Sequence, residues 1–175
     1  MKAAAYTRTG GPEVLEYVDV ADPVVREGGV VLAVEAIGIQ GGDLLNRAGG
    51  AMASTPHIVG YQAAGRVHEL GSDVSGFEVD QPVVATMAFG SHAEMASVPA
   101  GSVYAIPDGL TIEDAAGVPI EFGTADDCLF EFGHLRAGSR CWSRLAPAGS
   151  ASRRFSWPPA PAHRWCWPPR RATSG

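Results

Sequence analysis

Residues 56–77 read PHIVGYQAAGRVHELGSDVSGF. Within them Ala64–Leu70 is a short β-type run set among glycines, the residues that punctuate strands because they adopt turn conformations at no steric cost. The same grammar extends outward in both directions. Toward the N-terminus it gives candidate strands at Lys2–Thr7, Val14–Val20 and Val30–Gly38, and toward the C-terminus at Val83–Met87 and His92–Val98. In the third of these, Val30, Leu32, Val34 and Ala36 recur at period two, although the intervening positions are also partly apolar. A short helix fits Asp43–Arg47. Beyond Val103 the pattern turns helical: Thr111 with Asp114 three residues on resembles a capping box, and Glu121–Gly133 reads as a helix ending at glycine. No internal repeat interrupts this order. The expected fold class is a β-rich α+β domain followed by connecting helices.

Composition sets the limits. A chain of 175 residues holds one domain with a sizeable core, or one domain and part of another. No apolar run reaches bilayer length and Met1–Tyr6 shows no cleavage pattern, so the expectation is a cytoplasmic protein without a membrane partner. Cys128, Cys141 and Cys166 are odd in number and form no CxxC pair, which indicates neither a disulfide framework nor structural zinc.

The net charge of −6 hides an asymmetry. Up to Arg136 there are 6 Lys or Arg against 19 Asp or Glu, a net of −13; after it come 7 arginines and no acid. All four tryptophans, Trp142, Trp157, Trp165 and Trp167, also lie in the tail, among Pro158, Pro159, Pro161, Pro168 and Pro169. The composition breaks near Ser139. The expected organisation is therefore a β domain over 1–110, connecting helices over 111–138, and an aberrant Arg/Trp/Pro-rich tail over 139–175 without regular structure.

Five segments, in register, resemble the medium-chain dehydrogenase/reductase family, and within it the quinone-reductase-like branch. They are MKAAAYTRTGGPEVLEY (1–17), VEAIGIQGGDLLNRAGG (34–50), residues 56–77 as quoted, GSHAEMASVPAGSVYAIPDGLTIEDAA (90–116) and FGTADDCLFEFGHLRAG (122–138). The resemblance implies a GroES-like substrate domain over about 138 residues, with a Rossmann cofactor domain to follow. It also implies an NAD(P)H-dependent oxidoreductase acting on a small-molecule quinone or enone, with oligomerisation open.

The zinc-dependent branch of that family binds its catalytic metal through a Cys in G-x-C and a His-Glu pair in G-H-E. The matching positions here are Gln40, Tyr61 and Gln62, none a good zinc ligand. His57, His68 and His92 are scattered among strands and read as surface or packing residues. The resemblance thus implies hydride transfer without metal, in which the protein chiefly orients cofactor and acceptor. Gln40 and Thr124 are the candidate cofactor-binding residues, and Gln40 and Tyr61 the candidate substrate-binding ones; no catalytic residue is identified. Gln40 can equally satisfy backbone after a strand, and Thr124 can cap a helix. Asp43 matches a family aspartate and also suits a helix start. Arg47 is a weaker candidate.

The sequence departs from the family in three places. Val79-Asp80-Gln81-Pro82-Val83 replaces the usual V-G-D-R-V turn, so its shape is expected to differ. Gly41-Gly42 replaces bulkier residues, leaving space or mobility beside Gln40. And nothing after Gly138 offers the G-x-G-x-x-G loop that holds a pyrophosphate at a helix N-terminus, so this chain is expected neither to bind NADPH or NADH tightly nor to catalyse. The tail could bind single-stranded nucleic acid or an anionic membrane through its Arg and Trp, or arise from a frame change in a GC-rich gene; the frame change is favoured. Reading the third base of each codon with the first two of the next, with GC-rich choices, yields LVQAGAGGVGLAAIQLA from Cys141 to Pro158, a strand, a glycine loop and an apolar helix in family order. The alternative function is a GroES-like β domain serving as a non-catalytic binding or assembly module.

Overall fold

The computed structural model describes residues 1–137 in full and, beyond them, only the backbone of 140–143 and 153–156. It divides into two compact units, Met1–Thr124 and Ala125–Gly175. The first is built on a five-stranded antiparallel sheet in the order β7-β3-β5-β6-β8, from β3 (Gly29–Ile37), β5 (Gln62–Leu70), β6 (Pro82–Thr86), β7 (Met95–Pro99) and β8 (Val103–Ala105). A second sheet, ordered β2-β1-β4, joins β1 (Lys2–Tyr6), β2 (Glu16–Asp19) and β4 (His57–Ile58). The predicted β-rich α+β class, GroES-like in its curled sheet, is the observed one.

Both faces of the five-stranded sheet are covered, which is why β3 reads as nearly continuous Val and Ala rather than as a clean alternation. Val30, Leu32, Val67, Val83, Ala85, Val98 and Val103 form the inner core. On the other face Ala64 and Val84 pack with Ala115 and Ala116 of helix α2 (Ile112–Ala116). Along β6, Val83 and Ala85 point one way and Val84 the other, the two-residue period of a strand. In β3 that parity breaks: Leu32 faces the inner core and Ala36 the outer. The cause is a bulge, since Val34 pairs with Gly65 but Ala36 pairs with Ala64, leaving Glu35 unmatched. A second register shift lies between Val31 and Leu32. Period counting on the sequence assigns Val30 to Ala36 to one face and misses the switch.

Other boundaries moved for local reasons. Pro12 opens a 3-10 turn, Pro12–Val14, which shortens the expected Val14–Val20 strand to β2 and turns Val14 inward against Tyr6 and Val59. β4 and β8 have two and three residues, too few to show periodicity in a sequence. Helix α1 runs Gly41–Gly49 around the expected Asp43–Arg47. The capping expectation at Thr111 matches the geometry: its Oγ1 accepts from the Asp114 N–H at 3.1 Å. Helix α3 starts at Pro119, where a missing N–H costs nothing, and runs to Asp126; a π-turn, Asp127–Glu131, follows. In the altered turn after β5, Asp80 takes φ 69°, the left-handed conformation that a glycine would adopt freely.

Within 139–175, strands β9 (Arg140–Ser143) and β10 (Arg153–Ser156) pair antiparallel. The remaining expectations for the tail lie outside the described residues. No helix among the described residues is long and apolar enough to cross a membrane.

Candidate functional site

The end of β3 delivers Gln40 to the N-cap of α1. Its backbone N–H donates to Asp43 Oδ2 at 2.7 Å, while the Asp43 N–H donates to the Gln40 carbonyl at 3.0 Å. Asp43 is thus the third residue of the helix rather than its cap, and its carboxylate, only 2 % exposed, satisfies a backbone donor that the helix itself leaves free. The expectation that Asp43 serves the helix start describes one of its two oxygens.

The side chain of Gln40 leaves the helix and donates from Nε2 to Glu121 Oε1 at 2.6 Å. Glu121 Oε2 accepts from Gln62 Nε2 at 2.7 Å. Gln62, completely buried in β5, uses its Oε1 to accept the Ile120 N–H at 2.9 Å. One carboxylate in the first turn of α3 therefore clasps two carboxamides, one from the residues that follow β3 and one from the start of its neighbour β5, and Gln62 satisfies an orphan donor of that same turn. Gln40 and Gln62 are two of the three residues that the sequence resemblance sets against zinc ligands of the zinc-dependent branch. The third, Tyr61, stands beside Gly42: a Cβ there would meet Tyr61 Cε2 at 2.8 Å. The space expected at Gly41-Gly42 is open at Gly41, with nothing within 4 Å, but at Gly42 the tyrosine ring fills it. Thr124, one turn beyond Glu121 on α3, is exposed. Gln40, Gln62 and Glu121 are thus brought together, with Tyr61 against α1. Glu121 is the residue that sequence reasoning missed, because its partners stand 81 and 59 positions away and no local pattern links them. Among the described residues no three His, Cys, Asp or Glu side chains gather as a metal site.

A separate cavity of about 500 Å³ opens on the other side of α1, between that helix, the β1–β2 hairpin and residues 91–94. Leu15, Val34, Ile37, Leu44 and Val59 supply apolar wall; Asp43, Arg47, Ser91 and His92 are among its polar residues. His92 Nε2 lies 3.7 Å from Asp43 Oδ2. Burial holds the His92 imidazole below its ordinary pKa, an effect that Asp43 opposes and does not reverse. His57 is buried beside Tyr6, ring centroids 5.3 Å apart, and burial lowers its pKa as well. His68 is exposed. Packing and surface roles were the expectation for all three histidines, and of the three only His92 lines the cavity.

Against known proteins, residues 26–108 match the family model described as the alcohol dehydrogenase GroES-like domain. A quinone oxidoreductase of Pseudomonas aeruginosa is 34% identical over 152 residues, 85% of this chain and 46% of that protein. The crystal structure of the human synaptic vesicle membrane protein VAT-1 homolog-like protein superposes with a TM-score of 0.76 at 34% identity, covering 79% of this chain and 45% of that one. The Escherichia coli quinone oxidoreductase complexed with NADPH gives 0.72 at 27% identity, covering 75% and 41%. The chain spans less than half the length of each of these relatives. Through its GroES-like domain the chain belongs to the medium-chain dehydrogenase/reductase family, alongside the quinone oxidoreductases and VAT-1-like proteins.

Proposed function

We propose that this β domain is the substrate-side part of a zinc-independent, NAD(P)H-dependent oxidoreductase of quinones or enones, and that the 175-residue polypeptide does not by itself hold the cofactor. The observation that carries the reading is the clasp: where zinc-dependent relatives place metal ligands, two carboxamides are spent on Glu121, a neutral-donor arrangement with no vacancy for a cation. When bound, a nicotinamide would supply the hydride. The residues available to it here, Gln40 and Thr124, suit its nicotinamide end, with Gln40 and Tyr61 toward the acceptor carbonyl. They do not suit its pyrophosphate, for which the sequence has no glycine loop after Gly138. We assign the tail to a frame change and the protein to the cytoplasm.

Fluorescence titration of the purified chain with NADPH should show no saturable binding at micromolar concentration, and no turnover of a simple quinone. A version carrying a one-nucleotide correction between codons 138 and 141 should bind NADPH. Saturable binding by the uncorrected chain, or a corrected frame without a glycine loop, would overturn the reading. Chelator-free preparations should carry substoichiometric zinc; about one tightly held zinc per chain would refute metal independence.

A further inference from the structure

Two carboxamides meet one carboxylate at the start of α3, and the partners of each fix the way it faces. Gln62 Oε1 accepts the Ile120 N–H at 2.9 Å, a backbone group that can only donate, so Gln62 must turn Nε2 to Glu121. Gln40 Nε2 donates to the other carboxylate oxygen at 2.6 Å. A carboxylate only accepts, so Gln40 has no second orientation that keeps this bond. Gln62 is completely buried, whereas Gln40 is half-buried and Glu121 exposed. Of the two carboxamides, Gln40 is therefore the one whose free atoms a ligand can meet.

We propose that Glu121 is a positioning residue for Gln40: it holds the carboxamide nitrogen toward α3 and leaves Oε1 to accept a hydrogen bond from a ligand hydroxyl. The assignment rests on the use of Gln40 as a binding residue proposed above, and adds a residue and a direction to it. A bare carbonyl is the poorer partner. It would have to share the Gln40 nitrogen with Glu121, and its negative end would face the carboxylate charge. A hydroxyl instead brings a proton to Oε1. The carbonyl of an acceptor then falls to Tyr61, whose hydroxyl donates. The same geometry sets the effect of removing only the charge. In Glu121→Gln the substituted side chain has one accepting and one donating end. Gln62 cannot turn without abandoning the Ile120 N–H, so it keeps the accepting end. The donating end faces Gln40, which must turn Oε1 inward and its amide nitrogen outward. One substitution thus reverses what Gln40 shows to a ligand.

The test is NMR of the side-chain amides in the full 175-residue chain, with cyclohexanol and cyclohexanone titrated as matched hydroxyl and carbonyl probes. In the unsubstituted chain Gln40 and Gln62 should each show one Nε2 proton displaced downfield by the carboxylate. Glu121→Gln should return the Gln40 protons to the free-amide position while Gln62 keeps a displaced proton, a split that general loosening of α3 would not produce. Glu121→Ala should release both. Cyclohexanol should move the Gln40 signals at about threefold lower concentration than cyclohexanone, the effect of one hydrogen bond, and Glu121→Gln should reverse that order. Free-amide Gln40 protons in the unsubstituted chain, or parallel changes at Gln40 and Gln62 in Glu121→Gln, would overturn the positioning role. An equal or stronger response to cyclohexanone in the unsubstituted chain would overturn the preference for a hydroxyl. The expected amide pattern with no response of Gln40 to either probe would uphold the positioning role and refute the use of Gln40 as a binding residue.

Discussion

Gly65 carries more of this fold than its size suggests. It sits opposite the Glu35 bulge, and a Cβ built on it would overlap the backbone carbonyl oxygen of Ala33. That obstacle is backbone held in two ladders, so it cannot swing aside as a side chain would. Gly65→Ala should therefore destabilise the domain by about 1–3 kcal/mol through forced backbone shift, read as a lower urea midpoint with an unchanged slope. Asp80 is the opposite case. It occupies the left-handed region at φ 69° where its relatives' turn has glycine, and Asp tolerates that region better than most residues without being free of its strain. Its backbone groups keep their partners whatever the side chain, the N–H on the Val67 carbonyl and the carbonyl on Arg66. The side chain itself offers only an exposed contact of Oδ1 with Arg66 Nε at 3.9 Å, so Asp80→Gly should stabilise by about 0.5–1 kcal/mol, and a fall in thermal midpoint would show that this ion pair outweighs the backbone strain. The departure from the turn pattern was legible in the sequence. The bulge was not, because a single unmatched residue leaves both flanking runs looking like good strand.

Between elements, the clasp is the contact that fixes the start of α3 against the β domain. Glu121→Ala would leave the fully buried Gln62 Nε2 without an acceptor, a loss of about 1–3 kcal/mol. Glu121→Gln keeps the shape but sets an amide donor against one of the two donating carboxamides, so it should cost less than alanine and more than nothing. The ordering of the three urea midpoints, Glu above Gln above Ala, checks this. Most elements were readable from the sequence because glycine and proline mark their ends. The candidate site was readable by halves: position by position, Gln40, Tyr61 and Gln62 read as poor zinc ligands, but the carboxylate that joins Gln40 to Gln62 is brought in from a distant helix, which no spacing encodes.

For the whole molecule, the described histidines give acidity a definite sign. His57 Nδ1 accepts the Ala53 N–H at 3.3 Å, so protonating it would set one N–H against another in a buried site. Burial lowers the pKa of both His57 and His92. Above the ordinary imidazole value both the folded and unfolded chains are neutral there, and stability is complete. As pH falls through about 6.5 the unfolded chain takes up protons first, and stability declines until the depressed folded values are reached. Urea midpoints should drop between pH 7.5 and pH 5.5, with a shallower drop in His57→Phe.

The strand order carries a consequence for time as well as for shape. β3 finds its partner β7 only across a separation that runs from Ala33–Met95 to Gly29–Pro99, and β1 likewise waits for β4. Closing such distant pairs first costs loop entropy, which places refolding in roughly the millisecond-to-second range typical of non-local β topologies. On a ribosome adding about 5–20 residues per second, β3 is complete several seconds before β7 has been made. During that interval a Val-rich strand lacks a partner on at least one edge, and on both until β5 is made. The nascent domain is thus exposed to edge-to-edge association by virtue of its connectivity, before its final stability has any bearing.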